Sequence, residues 1–251
     1  MGVILSYKTV SLKERSDLQG AHLHLNVEVW PEFLLNCPNV DAYWMQMYET
    51  FGDYQLMIMD GDEILAGINS VPIFYDKNLN ELSDEGVEWG VAKSINDHEA
   101  GLEPNLLVGL QIMIRKEHQG KGLSSIVLNE MSNLARSKGF RYLVIPVRPN
   151  LKEHYPLIPM KEYIEWKNDK GLPFDNWLRV HVRAGGKILH PCEKSGTILG
   201  KVEEWKQWTK QNFPGSGRYV VPGALSPISI DLKEDEGVYV EPNVWVQHKL
   251  R

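Results

Sequence analysis

Apolar positions fall into short periodic runs along the chain. Residues 3–11 partly alternate apolar and polar side chains, the period of a strand. Trp44, Met47, Tyr48 and Phe51 share one face at helical spacing, with Asp41 as the candidate cap. Two apolar runs, Tyr54 to Met59 and Glu63 to Phe74, flank Asp60-Gly61-Asp62, which is the chemistry of a hairpin turn. From 76 to 105, charges and Gly86, Gly90, Gly101 and Pro104 surround the isolated pair Val87 and Trp89, a pattern of loop and short helix.

The most ordered pattern runs from Leu106 to Asn150. Leu106 to Ile114 is nearly continuous in apolar residues, as in a strand covered on both faces. A polar loop, Arg115 to Gly122, follows. Leu123, Ile126, Val127, Met131, Leu134 and Ala135 then recur at helical spacing, and Gly139 supplies the stop. Tyr142 to Val147 reads as a second buried strand. The unit is β–loop–α–β, with its glycines where strand turns into helix.

Beyond Asn150 the pattern thins into a stretch rich in proline, tyrosine and charge. Over Leu178 to Ala184 two periods compete. Apolar residues alternate with Arg179, His181 and Arg183, which alone fits a strand. Asp175 after Pro173, with Gly185-Gly186 behind, fits a capped short helix, and the caps decide for the helix. The tail offers a helix around Trp205 and Trp208 and strands at Arg218 to Val221, Ile228 to Leu232 and Val238 to His248. The expected organisation is one domain, with a core over about 3–190 and a C-terminal extension over about 191–251 packed on it.

Composition narrows the function classes. With 43% hydrophobic and 24% charged residues among 251, the chain can bury a core. A net charge of −6 argues against a surface devoted to nucleic acid. The start lacks a signal-peptide pattern, and no apolar stretch is long enough to span a bilayer, so a cytoplasmic protein without membrane contact is expected. Cys37 and Cys192 stand alone, without metal-ligand spacing, so neither a metal site nor a disulfide framework is expected. The tryptophans Trp30, Trp44, Trp166, Trp205 and Trp208 sit where core packing would use them.

The candidate chemistry lies in the loop. A glycine-rich turn entering a helix presents backbone N–H groups to an anion, and the helix dipole adds about 0.3–1 kcal/mol per charge. Lys121 and Arg115 add positive charge and Ser124 a hydroxyl. Ser125 breaks the three-glycine dinucleotide fingerprint, and the P-loop pattern is absent. Gln119-Gly120-Lys121-Gly122-Leu123-Ser124 resembles the pyrophosphate motif of the GNAT acyltransferases, Q/R-x-x-G-x-G/A, with Ser124 in place of the final small residue. The resemblance spans roughly residues 3–190 and is specific over about 106–146.

That resemblance implies an α/β (α+β) fold: a twisted mixed sheet flanked by helices, splayed beside its central strand, with inserted and C-terminal decorations. It implies acetyl-CoA, or another acyl-CoA, as donor. Backbone groups of Gln111, Ile112, Met113 and Ile114 would pair with pantetheine, and Gln119, Gly120, Lys121, Gly122, Leu123 and Ser124 would hold the pyrophosphate. The family commonly places a tyrosine general acid late in the chain, where this sequence has His181. A histidine of pKa near 6.5 is about one quarter protonated at pH 7. A lysine-like amine lies roughly three units from neutrality at pH 7, so its deprotonation costs about 4–5 kcal/mol and needs a base or water chain. Leu106 to Ile114 holds no glutamate for that task. Glu88 and Glu241 are candidates to face an acceptor, and Glu117 reads as surface. Arg148, Asn150 and Lys152 follow the second buried strand, where ligands bind open α/β sheets, and are the expected substrate contacts.

Acyl transfer to an amine of a small molecule is therefore the leading expectation. A GNAT-fold sensor that binds acyl-CoA without chemistry, and an acyltransferase that takes its donor from aminoacyl-tRNA, are the alternatives. The acidic balance counts against the tRNA reading. A homodimer is left open by the sequence.

Overall fold

The structure is a computed structural model that describes residues 7–250, apart from the side chain of Asn39. The chain runs β1 (Lys8–Ser11), α1 (Gln19–Val29), α2 (Pro38–Thr50), β2 (Gln55–Asp60), β3 (Glu63–Ile73), α3 (Gly86–Glu99), β4 (Leu106–Ile114), α4 (Leu123–Ser137) and β5 (Tyr142–Val147). It continues with α5 (Met160–Tyr163), α6 (Asn176–Arg183), β6 (Lys187–Gly200), α7 (Val202–Thr209), β7 (Gly217–Tyr219), β8 (Ile228–Asp231) and β9 (Glu236–Lys249). Residues 3–6 of the expected first strand lie outside the described residues.

Strongly patterned segments form where the sequence puts them. β4 and β5 have the expected bounds, and β2 and β3 close on Asp60↔Glu63 as a tight hairpin. Asp175 caps α6 through the N–H groups of Trp177 at 2.8 Å and Leu178 at 3.1 Å, which settles helix over strand. The expected cap at Asp41 is corrected. Pro38 occupies the first turn of α2, where its missing N–H costs nothing, and Cys37 precedes it in extended conformation. The region 76–105 holds a helix of 14 residues rather than a short one. Its buried face offers mainly Val91 and Ile95, and Gly90 packs where a Cβ would meet Val108 and Leu110, so the apolar signal is thin. β6 was not expected at all. Register irregularities between Ile188 and Pro191 and between Cys192 and Gly196 erase its alternation.

The strands form a nine-stranded sheet in the order β1-β2-β3-β4-β5-β9-β8-β7, with β6 along β9. β4 and β5 are parallel and the other pairs antiparallel. One face is covered by α1, α2 and α3 over Val71, Val108, Met113 and Trp245. The other is covered by α4 and α6 over Leu107, Leu143, Ile145 and Val246. A third cluster gathers Phe33, Trp205, Ile228 and Tyr239 under the C-terminal strands. α4 is anchored by Leu123, Val127, Leu128, Met131 and Ala135, each buried side chain of leucine size contributing roughly 1.5–3 kcal/mol. That anchoring fixes its N-terminus. Among the described residues no helix is long and apolar enough to cross a membrane.

Candidate functional site

β4 and β5 pair at Leu107↔Leu143 and Val108↔Val144 and then part. Each is held by its outer neighbour, β4 by β3 through Ala66↔Ile114 and β5 by β9 through Val147↔Val244. Two parallel strands tied to opposite sides diverge, and the inner edge of β4 beyond Val108 faces open space. A bulge assists. Asn69 opposes Gln111 and Ser70 opposes Gly109, so Leu110 is the extra residue. Before it, Leu107 faces α4 and Val108 the opposite layer; after it, Ile112 and Ile114 face α4 and Met113 the opposite layer. The bulge thus turns Ile112 and Ile114 toward the gap.

The gap is a groove of about 560 Å³. Gln111, Ile112 and Ile114 line it from β4, Ile145, Val147, Arg148 and Asn150 from β5 and its end, and Asn176, Trp177 and Val180 from α6. His118, Gln119, Gly120, Gly122, Leu123 and Ser124 close one end. Gly120 and Gly122 have φ of +73° and +84°, which L side chains rarely adopt, and nothing stands within 4 Å of where their Cβ atoms would be. Gly122, the cap residue of α4, has no side chain to satisfy the first N–H groups of the helix. The Gln119 amide donates to the Ile114 carbonyl at 2.9 Å and ties the loop to the end of β4.

A second cavity of about 320 Å³ adjoins the groove, and Trp30, Leu110, Gln111 and Arg148 belong to both. Its walls are apolar: Leu23, Val27, Leu34, Leu35, Val40 and Trp44 beside Trp30 and Leu110. Of its polar lining residues Ser195, Glu241 and Asn243 are buried, while Asp41 is exposed. Arg148 Nε meets Glu241 Oε1 at 2.5 Å, and its Nη2 donates to the Gly223 carbonyl. Tyr239 donates its hydroxyl proton to Glu241 and accepts from the Leu225 N–H. Burial opposes the charge on Arg148, but Glu241 beside it prevails and raises its pKa. Burial and the same carboxylate push the Tyr239 phenol well above 10, so it remains a donor. Removing one member of such a buried ion pair costs about 3–5 kcal/mol. Among the described residues Gln111 Oε1, Asn243 Oδ1 and Trp30 Nε1 are buried without a hydrogen-bond partner. The Cys37 thiol, also on this wall, is pushed up to about 12 by burial and by Glu88, which suits packing rather than thiolate chemistry.

The structure therefore gathers most of the expected site residues and separates four. Met113 is fully buried on the opposite face, so only its main chain can border the gap. Lys121 is exposed and lines neither cavity. Lys152 is buried, with Nζ donating to the carbonyls of Leu225 at 2.7 Å and Tyr155 at 2.8 Å, and burial lowers its pKa to about 8. His181 is fully buried, pairs through Nδ1 with His248 Nε2 at 2.9 Å, and borders neither cavity. Burial, with His248 beside it, drives its pKa well below 6.5 and keeps the ring neutral. Sequence reasoning did not single out Trp177, which lines the groove, and it assigned Trp30 and Trp44, which line the second cavity, to core packing. Their periodicity fits core packing equally well, and Trp30 and Trp44 do also pack against the core.

No family model matches the chain. It is similar to the arginine N-acetyltransferase avaD of Aspergillus versicolor, 33% identical over 255 residues, which covers 90% of this chain and 87% of that protein. Among solved structures it resembles the loading GNATL domain of CurA from Lyngbya majuscula, with a TM-score of 0.62 at 19% identity, covering 97% of this chain and 98% of that one. It also resembles the GphF GNAT-like decarboxylase in complex with isobutyryl-CoA, with a TM-score of 0.54 at 17% identity, covering 98% and 99%. At those identities the two structures bear on the fold alone.

Proposed function

The chain belongs to the GNAT superfamily of acyl-CoA N-acyltransferases, and from that membership we propose that it moves an acetyl group from acetyl-CoA to a nitrogen of arginine or of a small molecule built on arginine. The observation that supports this reading is that two cavities adjoin at one wall. The groove between β4 and β5 ends at the N-terminus of α4, and the second cavity shares Trp30, Leu110, Gln111 and Arg148 with it.

In this reading the N–H groups around Gly120 to Ser124 receive the pyrophosphate, with the helix dipole in support. The free edge of β4 from Gln111 to Ile114 pairs with the pantetheine amides, and Asn150 and Trp177 close the opposite side. The acceptor nitrogen attacks the thioester carbonyl carbon from the second cavity. A C–N bond forms, the C–S bond breaks, and the proton lost by nitrogen ends on sulfur. Holding both reactants at one wall makes the step effectively intramolecular. Arg148 and Gln111, which border both cavities, orient the two partners. His181 receives a positioning role: paired with His248, it seats α6, which carries Trp177 and Val180 into the groove wall.

Calorimetry with acetyl-CoA tests the donor half. Gly122→Val forces a left-handed backbone onto a β-branched residue at the helix start and should weaken acetyl-CoA at least tenfold. Gly101→Val strains a similar φ of +67° at a residue that lines neither cavity and should leave binding unchanged. No binding of acetyl-CoA up to millimolar concentration would sink the reading.

A further inference from the structure

The second cavity carries a polarity that an ordinary amine pocket does not need. At its buried polar end Gln111 Oε1 and Asn243 Oδ1 have no partners among the described residues, beside the Glu241 carboxylate, whose oxygens already accept from Arg148 and Tyr239. Asn243 is only 4% exposed, and its Nδ2 is already spent on Ser195 Oγ at 2.8 Å. The unpartnered buried donor there is Trp30 Nε1. A buried acceptor left unpaired is costly, so such an end calls for a ligand that brings several N–H groups together. The cation at that end, Arg148, is committed to Glu241 and to the Gly223 carbonyl. Elsewhere on the lining Asp41 is exposed, and Trp30, Trp44, Leu34 and Leu35 form apolar walls.

Resting on the acyltransferase reading, we propose that this cavity is a guanidine subsite and that the guanidine end of the acceptor, not its α-amine, lies against Glu241, Gln111 and Asn243 and receives the acyl group. A guanidine is planar and presents up to five N–H donors in one fork, which matches converging acceptors and stacks on tryptophan faces. The reverse orientation brings the α-carboxylate of an amino acid to an end already crowded with acceptors, where the one basic side chain is paired. With the guanidine innermost, the aliphatic stem crosses the apolar walls and the α-ammonium lies near Asp41. Attack requires the neutral guanidine, so one proton leaves to solvent before the C–N bond forms; Arg148 beside the fork assists that loss and Glu241 opposes it. The nitrogen lone pair forms the C–N bond, CoA leaves with the C–S electron pair, and the nitrogen's proton goes to the sulfur.

Calorimetry and product analysis on the full chain separate the orientations. Nα-acetyl-arginine, whose α-amine is blocked, should bind within about threefold of arginine, and lysine at least tenfold more weakly. Glu241→Gln should weaken both guanidine ligands at least tenfold. Because that substitution disturbs a buried ion pair, Asp41→Asn serves as the second variant. It should weaken arginine about threefold and Nα-acetyl-arginine less, since only arginine presents an ammonium to it. With acetyl-CoA present, fragment mass spectra should place the acetyl group on the guanidine. The proposal is overturned if blocked arginine neither binds nor reacts, or if the product carries its acetyl group on the α-nitrogen. If blocked arginine binds while acetyl-CoA does not, the acyltransferase reading falls and the subsite stands. If acetyl-CoA is consumed equally fast with amines lacking a guanidine, the acyltransferase reading stands and the subsite falls.

Discussion

Three buried histidines, His22, His181 and His248, have their pKa values lowered, the first and last to about 4, chiefly by burial. The folded protein holds them neutral, whereas the unfolded chain binds protons near pH 6.5. Their contribution to stability is therefore complete above about pH 6.5 and is lost as pH falls toward 4. His22 alone accounts for about 3 kcal/mol over that window. Urea midpoints should fall steadily between pH 6.5 and 4, and a flat profile there would contradict the neutral assignment. His181→Ala should cost about 2–3 kcal/mol by leaving a cavity and an unpaired His248, while turnover per folded molecule keeps the wild-type pH profile. Loss of one limb of that profile would restore His181 as proton donor. Single residues were legible where the pattern is local, as in Gln119, Gly120, Gly122, Leu123 and Ser124, which line the groove from one loop and the start of α4. Glu241 and Arg148 were readable only as candidates, because 93 residues separate them and the pairing exists in the fold alone.

Among elements, β4 and α4 decide the site. Gly109 lies where they touch, and an added Cβ would stand 2.5 Å from Met131 Sδ and 2.9 Å from Ile145 Cγ1. Gly109→Ala should cost about 1–3 kcal/mol by overpacking and push α4 outward. Because the N-terminus of α4 closes the groove, acetyl-CoA affinity should fall with it; calorimetry and a melting curve on the same sample check both. Unchanged affinity in a destabilised variant would detach α4 from donor binding. β4, α4 and β5 could be read from the sequence because runs, caps and stops agree there, and α6 because its caps outweigh a strand-like alternation. α3 and β6 could not. On α3 the buried apolar side chains are only Val91 and Ile95, and β6 is interrupted at Pro191 and Gly196, so periodicity is too weak to register in either, although both elements pack firmly in the fold.

At the scale of the whole molecule, the last long strand completes the sheet. β9 pairs with β5 through Val244 to Lys249 and with β6 along its other edge, placing Glu241 and Asn243 beside Gln111 of β4. The second cavity draws on α1, α2, α3, β4, β6 and β9, so no window of the sequence contains it. The groove was foreseeable from one segment and its neighbour was not, and the donor was for that reason legible before the acceptor. The two cavities sharing Gln111 and Arg148 make a single claim, that acyl-CoA and a nitrogen acceptor meet across that wall. Release of free CoA thiol from acetyl-CoA, followed with and without arginine, tests it most directly. Release that requires the acceptor, and that collapses in Gly122→Val, is the expected result; release at the same slow rate with or without arginine, across a wide panel of amines and guanidines, would contradict the account.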